Sequence, residues 1–264
     1  MGSGLLPPSA DEGPSRLSRW ALAAALFTAY APMQLVFALP VVLIAYLLGM
    51  FRTASDLQNL SLLAWMALLS GLLAALLTLL IVWSWPRVWS HATGQCYTLA
   101  DWIAWRKPHT LPLWSVPLLT LVMLVVVGCG VTLLIGPTGL DLQMQLFSTR
   151  RLQVISGLAV STIVPLAEEI VFRGALYNAL LPPARADIPF WRRHLTPFVV
   201  CSVFFALLHV LAGFNTAASL VMALLLSFYL TALRTISGSI LPSIAGHMMW
   251  NLIGALALVF MNGG

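Results

Sequence analysis

The chain has 264 residues, of which 60% are apolar and only 8% are charged, with a net charge of +5. A soluble globular domain averages about 25% charged residues, so this composition excludes one. Apolar runs of about 20 residues or more recur, and each can cross a hydrocarbon core about 30 Å thick, whereas the short alternating segments of a β-barrel are missing. The sequence therefore predicts an all-α, polytopic transmembrane helical bundle in contact with the lipid bilayer.

The chain order predicts a tail followed by two groups of spans. Residues 1–19 are rich in Gly, Pro and Ser and lack an apolar face, so we expect a disordered cytoplasmic tail. We expect residues 20–151 to form an N-terminal three-span segment and residues 152–264 a four-span catalytic core. The spans, about seven in number, are predicted at 20–50, 60–85, 111–136, 152–181, 197–213, 216–233 and 240–261.

Positive charge predicts the orientation of the bundle. With the N-terminus inside, nine Lys and Arg residues fall on the inner side and three on the outer side. The inner cations are Arg16, Arg19, Arg87, Arg106, Lys107, Arg185, Arg192, Arg193 and Arg234, and the outer ones are Arg52, Arg150 and Arg151. This asymmetry predicts a cytoplasmic N-terminus, and it explains the net positive charge without a nucleic-acid partner.

Three charged residues interrupt the fourth predicted span. Glu168, Glu169 and Arg173 stand in an otherwise apolar stretch, where each charge costs about 2.5–3.5 kcal/mol near the bilayer centre. Glu169 and Arg173 are four residues apart and share a helix face, which predicts an ion pair. Glu168 is turned by about 100° and has no local cation. An anchor for a neighbouring helix would explain the pair but not Glu168, so we interpret the group as a functional site.

Polar residues also occur in two later spans. His209 lies in the fifth predicted span, whereas His247 and Asn251 lie four apart in the seventh, on one helix face. A single buried histidine is more often a hydrogen-bonded packing residue than a catalyst. At 1.5 Å per residue, however, Glu168 and the two histidines lie about 10–20 Å from their nearest cytoplasmic loops. Similar depth on three helices predicts one shared polar cavity.

These groups can perform hydrolysis in two ways that the spacing does not separate. Glu168 and His209 could hold and deprotonate a water molecule, while His247 and Asn251 donate to the developing oxyanion. Alternatively, Glu168, His209 and His247 could bind zinc, since two His and one Glu form a known catalytic ligand set. In either case the pair of Glu169 and Arg173 would support the site by fixing the helix and the local charge.

The three motifs together resemble the CAAX prenyl protease and bacteriocin-processing family, also called the Abi family. The resemblance rests on Glu168-Glu169 with Arg173, Phe205 with His209, and His247 with Asn251, in that order on late spans. It implies that Glu168, His209 and His247 are catalytic, with help from Asn251. It leaves two cofactor hypotheses, a zinc metalloendopeptidase and a metal-free glutamate mechanism.

The resemblance further implies an intramembrane endopeptidase in a bacterial plasma (inner) membrane. The substrate would be a membrane-associated peptide or protein, prenylated proteins included. Two other classes of function remain open from the sequence. One is a non-catalytic immunity or scaffold protein that retains the motifs, and the other is a transporter with the acid and histidines as a proton relay. The absence of paired halves with matching broken helices disfavours transport.

Overall fold

The computed structural model describes residues 71–80, 82–84, 103–136, 150–182, 187–211 and 216–261, and the single positions 43, 47, 66, 69, 98 and 100. In these residues every regular element is a helix, which confirms the predicted all-α class. The helices are α1 (Gly71–Ser84), α2 (Val116–Leu134), α3 (Arg150–Ser161), α4 (Ile163–Glu169), a π-helix (Ile170–Leu176), α5 (Tyr177–Leu180), α6 (Phe190–Leu211), α7 (Ala217–Ser237) and α8 (Leu241–Met261).

Three helical stretches of the described residues are long and apolar enough to cross a membrane. They are Leu113–Leu134, Gln153–Leu180 and Ala217–Ser237, at the positions of the third, fourth and sixth predicted spans. The protein is therefore an integral membrane protein. The count of about seven spans stays a prediction, as does the N-terminal orientation. The predicted tail and nearly all of the first span lie outside the described residues.

Local sequence explains where the helices begin and end. Pro117 stands in the first turn of α2, where its missing N–H would have no helical partner in any case. Thr216 begins α7 by accepting a hydrogen bond from the backbone N–H of Ser219 at 3.1 Å. Gly238 ends α7 in the left-handed region, with φ of 68°, a conformation that favours glycine.

The fourth predicted span is a helix with a break and a widened turn. Pro165 has no N–H to offer the carbonyl four residues earlier, and the helix is interrupted one residue after Ser161, at Thr162, where φ is −127° and ψ is −70°. It resumes as α4 and widens into the π-helix directly after Glu169. All seven residues of the π-helix are buried, so this turn has neighbours on every side.

Part of the connection before α2 docks on the turn between α7 and α8. Ile240 donates its backbone N–H to the carbonyl of Ala104 at 3.2 Å, and the Nε of Arg106 donates to the carbonyl of Gly238 at 2.9 Å. Ile103 is buried against Gly174 of the π-helix. The connection is therefore fastened both to the α7–α8 turn and to the helix that carries the charged residues.

Gly174 provides the space for that contact, and its replacement tests the packing. A Cβ built on Gly174 would stand 2.9 Å from the Cβ of Ile103, closer than real side chains approach. Gly174→Ala should therefore lose about 1–3 kcal/mol of stability through overpacking. Gly254→Ala is the matched control, because that helical glycine has nothing within 4 Å and alanine favours helices. Thermal unfolding in detergent should show a lower midpoint for Gly174→Ala alone, and equal midpoints would contradict the packing.

Candidate active site

The predicted ion pair forms the buried centre of the site. Arg173 Nη1 donates to Glu169 Oε1 at 2.9 Å, and both side chains are 0% exposed. Because a lone charge in such a place is strongly disfavoured, each side chain depends on the other. The i, i+4 spacing predicts this pair correctly.

Arg173 is held on its other side by α7. Its Nη2 donates to the Ser227 hydroxyl at 2.6 Å and to the Ser227 carbonyl at 3.2 Å, and its Nε donates to the Thr231 hydroxyl at 3.3 Å. The guanidinium also lies 4.4 Å from the centre of the Phe205 ring, a cation–π contact. The guanidinium thus donates hydrogen bonds to three residues and packs on an aromatic ring. Its orientation toward Glu169 is therefore fixed.

His247 lies between the two glutamates. Its Nδ1 stands 2.9 Å from Glu169 Oε1, the oxygen that also accepts from Arg173, and its Nε2 stands 3.7 Å from Glu168 Oε2. An ionised carboxylate only accepts, so Nδ1 carries the proton in this bond. Nε2 therefore faces Glu168, at a separation too long for a direct hydrogen bond.

The two glutamates differ in exposure. The Glu168 side chain is 12% exposed, whereas that of Glu169 is 0% exposed. Glu169 Oε2 is also buried and has no hydrogen-bond partner among the described residues. Glu168 is thus the carboxylate that other molecules can approach, and Glu169 is the one that the protein encloses.

Phe205 links the two histidines. His209 Nδ1 is 2.9 Å from the Phe205 carbonyl, which can only accept, so Nδ1 carries the proton and Nε2 of the neutral ring holds the lone pair. The Phe205 ring centre lies 4.4 Å from that of His209 and 5.6 Å from that of His247. Both imidazoles therefore pack on one aromatic ring next to the buried ion pair.

Asn251 contacts the break in the fourth predicted span. Its amide donates to the carbonyl of Val160 at 2.8 Å, one residue before α3 ends at Ser161. This bond uses one of the two amide N–H groups and connects α8 to the interrupted helix. Asn251 therefore lies one turn after His247 on α8, and its side chain binds the backbone carbonyl of Val160.

Residues 150–253, from α3 through most of α8, match the family model described as Type II CAAX prenyl endopeptidase Rce1-like. This segment, which is less than half of the chain, is similar to the Rce1-like family. The match confirms the resemblance found in the sequence, includes all six predicted site residues, and supports a CAAX-type intramembrane protease. The comparisons with curated proteins and with solved structures gave no match.

A metal site in the Rce1-like segment would need a suitable set of donor side chains. A catalytic zinc site takes three protein ligands, each about 2.0–2.3 Å from the ion. Among the described residues, no three His, Cys, Asp or Glu side chains stand together in that way. Glu168, His209 and His247 do not form a zinc ligand set as they are arranged here.

The sequence did not predict the contacts that cross between helices. The bond of Glu169 to His247 spans 78 positions, and the residues that hold Arg173 on α7 belong to no recognised motif. One signal was present, because Ser227 and Thr231 are four apart in an apolar helix and so share one face. A polar stripe of this kind predicts a buried polar partner on a neighbouring helix.

Breaking the ion pair tests its structural role. Arg173→Ala leaves Glu169 as a buried charge without its cation, which typically costs about 3–5 kcal/mol, so folded yield and activity should both fall. Adding Glu169→Gln removes the stranded charge, and the double variant should regain part of the lost stability. Size-exclusion yield and thermal unfolding of wild type, both single variants and the double variant measure this coupling. A fully stable and active Arg173→Ala protein would contradict the supporting role of the pair.

Proposed function

We propose that this protein is an intramembrane endopeptidase that hydrolyses a peptide bond of a membrane-associated peptide or protein, prenylated proteins included. The Rce1-like segment supports a protease. The observation that carries the proposal is the position of His247, fixed by Glu169 and facing the more accessible Glu168 at 3.7 Å. A carboxylate next to an oriented imidazole, in a site that excludes bulk water, is suited to general acid–base chemistry.

In this proposal Glu168 is the general base. It takes a proton from a water molecule, whose oxygen forms a new bond to the carbonyl carbon of the substrate. When the carbon–nitrogen bond breaks, the same carboxyl group gives the proton to the departing amine. Its 12% exposure, against 0% for Glu169, supports this assignment of the two acids. His209 supports the step as a second acceptor, because its Nε2 carries the lone pair when Nδ1 donates to Phe205.

His247 and Asn251 are proposed to stabilise the oxyanion. Since Nδ1 of His247 already donates to Glu169, the ring can donate to an oxyanion only from a protonated Nε2. Glu169 would stabilise that imidazolium, as a buried carboxylate does for a catalytic histidine. Asn251 keeps a second amide N–H beyond the one bound to Val160. The reaction as proposed uses protein side chains and water alone.

The substrate class follows from the setting of the site. Glu168 and Glu169 lie within Gln153–Leu180, a stretch long and apolar enough to span the bilayer. A substrate must therefore enter from the membrane or its surface, which favours peptides and proteins that already partition there. The similarity to the Rce1-like family makes a prenylated peptide with a CAAX terminus the first probe.

Replacing the proposed base separates catalysis from a scaffold role. Glu168→Gln keeps the shape of the side chain and its ability to form hydrogen bonds but removes the base, so cleavage should fall about 10²–10⁴-fold with little change in thermal stability. Asp187→Asn is the matched control, because it makes the same carboxylate-to-amide change at an exposed position outside the site. The measurement is cleavage of a quenched fluorescent CAAX peptide, with and without a prenyl group, by proteins purified in detergent.

The same assay tests the cofactor hypotheses. With the proposed mechanism, a chelator should leave the cleavage rate unchanged. Loss of activity with chelator and recovery with zinc would instead assign Glu168, His209 and His247 to a metal. Equal cleavage by wild type and Glu168→Gln would remove Glu168 as the base, and no cleavage of either peptide by the wild type would favour the immunity or scaffold hypothesis.

A further inference from the structure

A second buried arginine contacts the helix that carries the site. Arg234, in the last turn of α7, is only 3% exposed, although its place after the sixth predicted span predicts a cation of an inner loop. A cation at a helix C-terminus is favoured by the helix dipole wherever its side chain points. This side chain, however, is directed away from solvent, toward the end of the π-helix.

Arg234 binds two positions on that helix. Its Nε donates to the backbone carbonyl of Arg173 at 3.0 Å, and its Nη2 donates to the side-chain oxygen of Asn178 at 2.7 Å. Its guanidinium also lies 4.9 Å from the centre of the Tyr177 ring. One side chain therefore joins the middle of the π-helix to the α-helical turn that follows it.

At the residue that Arg234 binds, the backbone hydrogen bonds of the π-helix differ in register from those of an α-helix. In an α-helix the N–H of Tyr177 would donate to the carbonyl of Arg173, four residues earlier. In this structure that N–H is directed to the carbonyls of Gly174 and Phe172. Arg234 donates to the carbonyl of Arg173, to which the N–H of Tyr177 does not donate. Cys201 Sγ donates to the carbonyl of Phe172 at 3.2 Å.

We propose that Arg234 is a positioning residue of the site, which holds the π-helix in register by binding the carbonyl of Arg173. Through that backbone it sets the place of the Arg173 side chain, which fixes Glu169 and, through Glu169, His247. The catalytic consequence rests on the proposed function, whereas the effect on the π-helix does not. A small displacement of catalytic groups can cost about 10²-fold in rate, so the contact matters although Arg234 touches no reacting atom.

The test compares two arginines that each bind a carbonyl. Arg234→Met removes the charge and the donors while keeping apolar volume. Arg193→Met is the matched control, because Arg193 Nε donates at 2.9 Å to the carbonyl of Pro182, outside the π-helix. Hydrogen exchange of peptides covering residues 165–181, read by mass spectrometry, should become faster in Arg234→Met and not in Arg193→Met. This readout needs no substrate.

Cleavage of the quenched CAAX peptide adds the kinetic part of the test. Per folded molecule, Arg234→Met should lower kcat by about tenfold or more and leave KM within about twofold, because misplacement affects the reacting groups. Arg234→Lys keeps the charge but not the fork of donors, so its kcat and exchange should lie between those of wild type and Arg234→Met. If Arg234→Met fails to fold, Arg234→Lys provides the same comparison with a milder change.

The outcomes are separable. Unchanged exchange at 165–181 in folded Arg234 variants overturns the positioning role, whatever the activity. Wild-type exchange and kcat in Arg234→Lys would reduce the residue to a cation at the end of α7, which also overturns it. Faster exchange in a protein whose wild type cleaves neither peptide would keep the structural role and reject only the proposed function.

Discussion

The buried carboxylate of Glu169 is the group on which the rest of the site depends. One of its oxygens accepts from both Arg173 and His247, so a single charge connects three helical elements: α4, the π-helix and α8. In an environment of low polarity, charged hydrogen bonds are strong and unpaired charges are costly. The helices must therefore pack so that all three side chains meet, and the orientation of His247 follows from this requirement.

The two adjacent glutamates have different surroundings because a helix turns by about 100° per residue. Glu169 faces the interior and is fully enclosed, whereas Glu168 keeps 12% exposure and stands opposite Nε2 of His247. Glu169, which is enclosed, can hold a charge away from bound molecules. Glu168, which is accessible, can exchange protons without disturbing the buried ion pair.

The parts of this arrangement that are local in sequence were predictable, and the parts that join distant helices were not. Spacing predicted the pair of Glu169 and Arg173, and hydropathy placed the helices that carry His209 and His247. Three other features depend on how the helices pack together. They are the contact between Glu169 and His247, the hydrogen bonds of Arg173 to Ser227 and Thr231, and the burial of Arg234. The widened turn after Glu169 was also hidden, since the i, i+4 spacing of Glu169 and Arg173 is that of an ordinary α-helix.

Residues 103–110 dock on the turn between α7 and α8 and complete the hydrogen bonding of its backbone. The segment that matches the family begins at residue 150, yet the carbonyls of Ser237 and Gly238 and the N–H of Ile240 find their partners in His109, Arg106 and Ala104. A chain that started at residue 150 would leave those backbone groups without these partners. It would also leave Gly174 without its contact to Ile103. The segment that matches the family is thus completed by residues that precede it, and a truncated chain should keep residues 103–110.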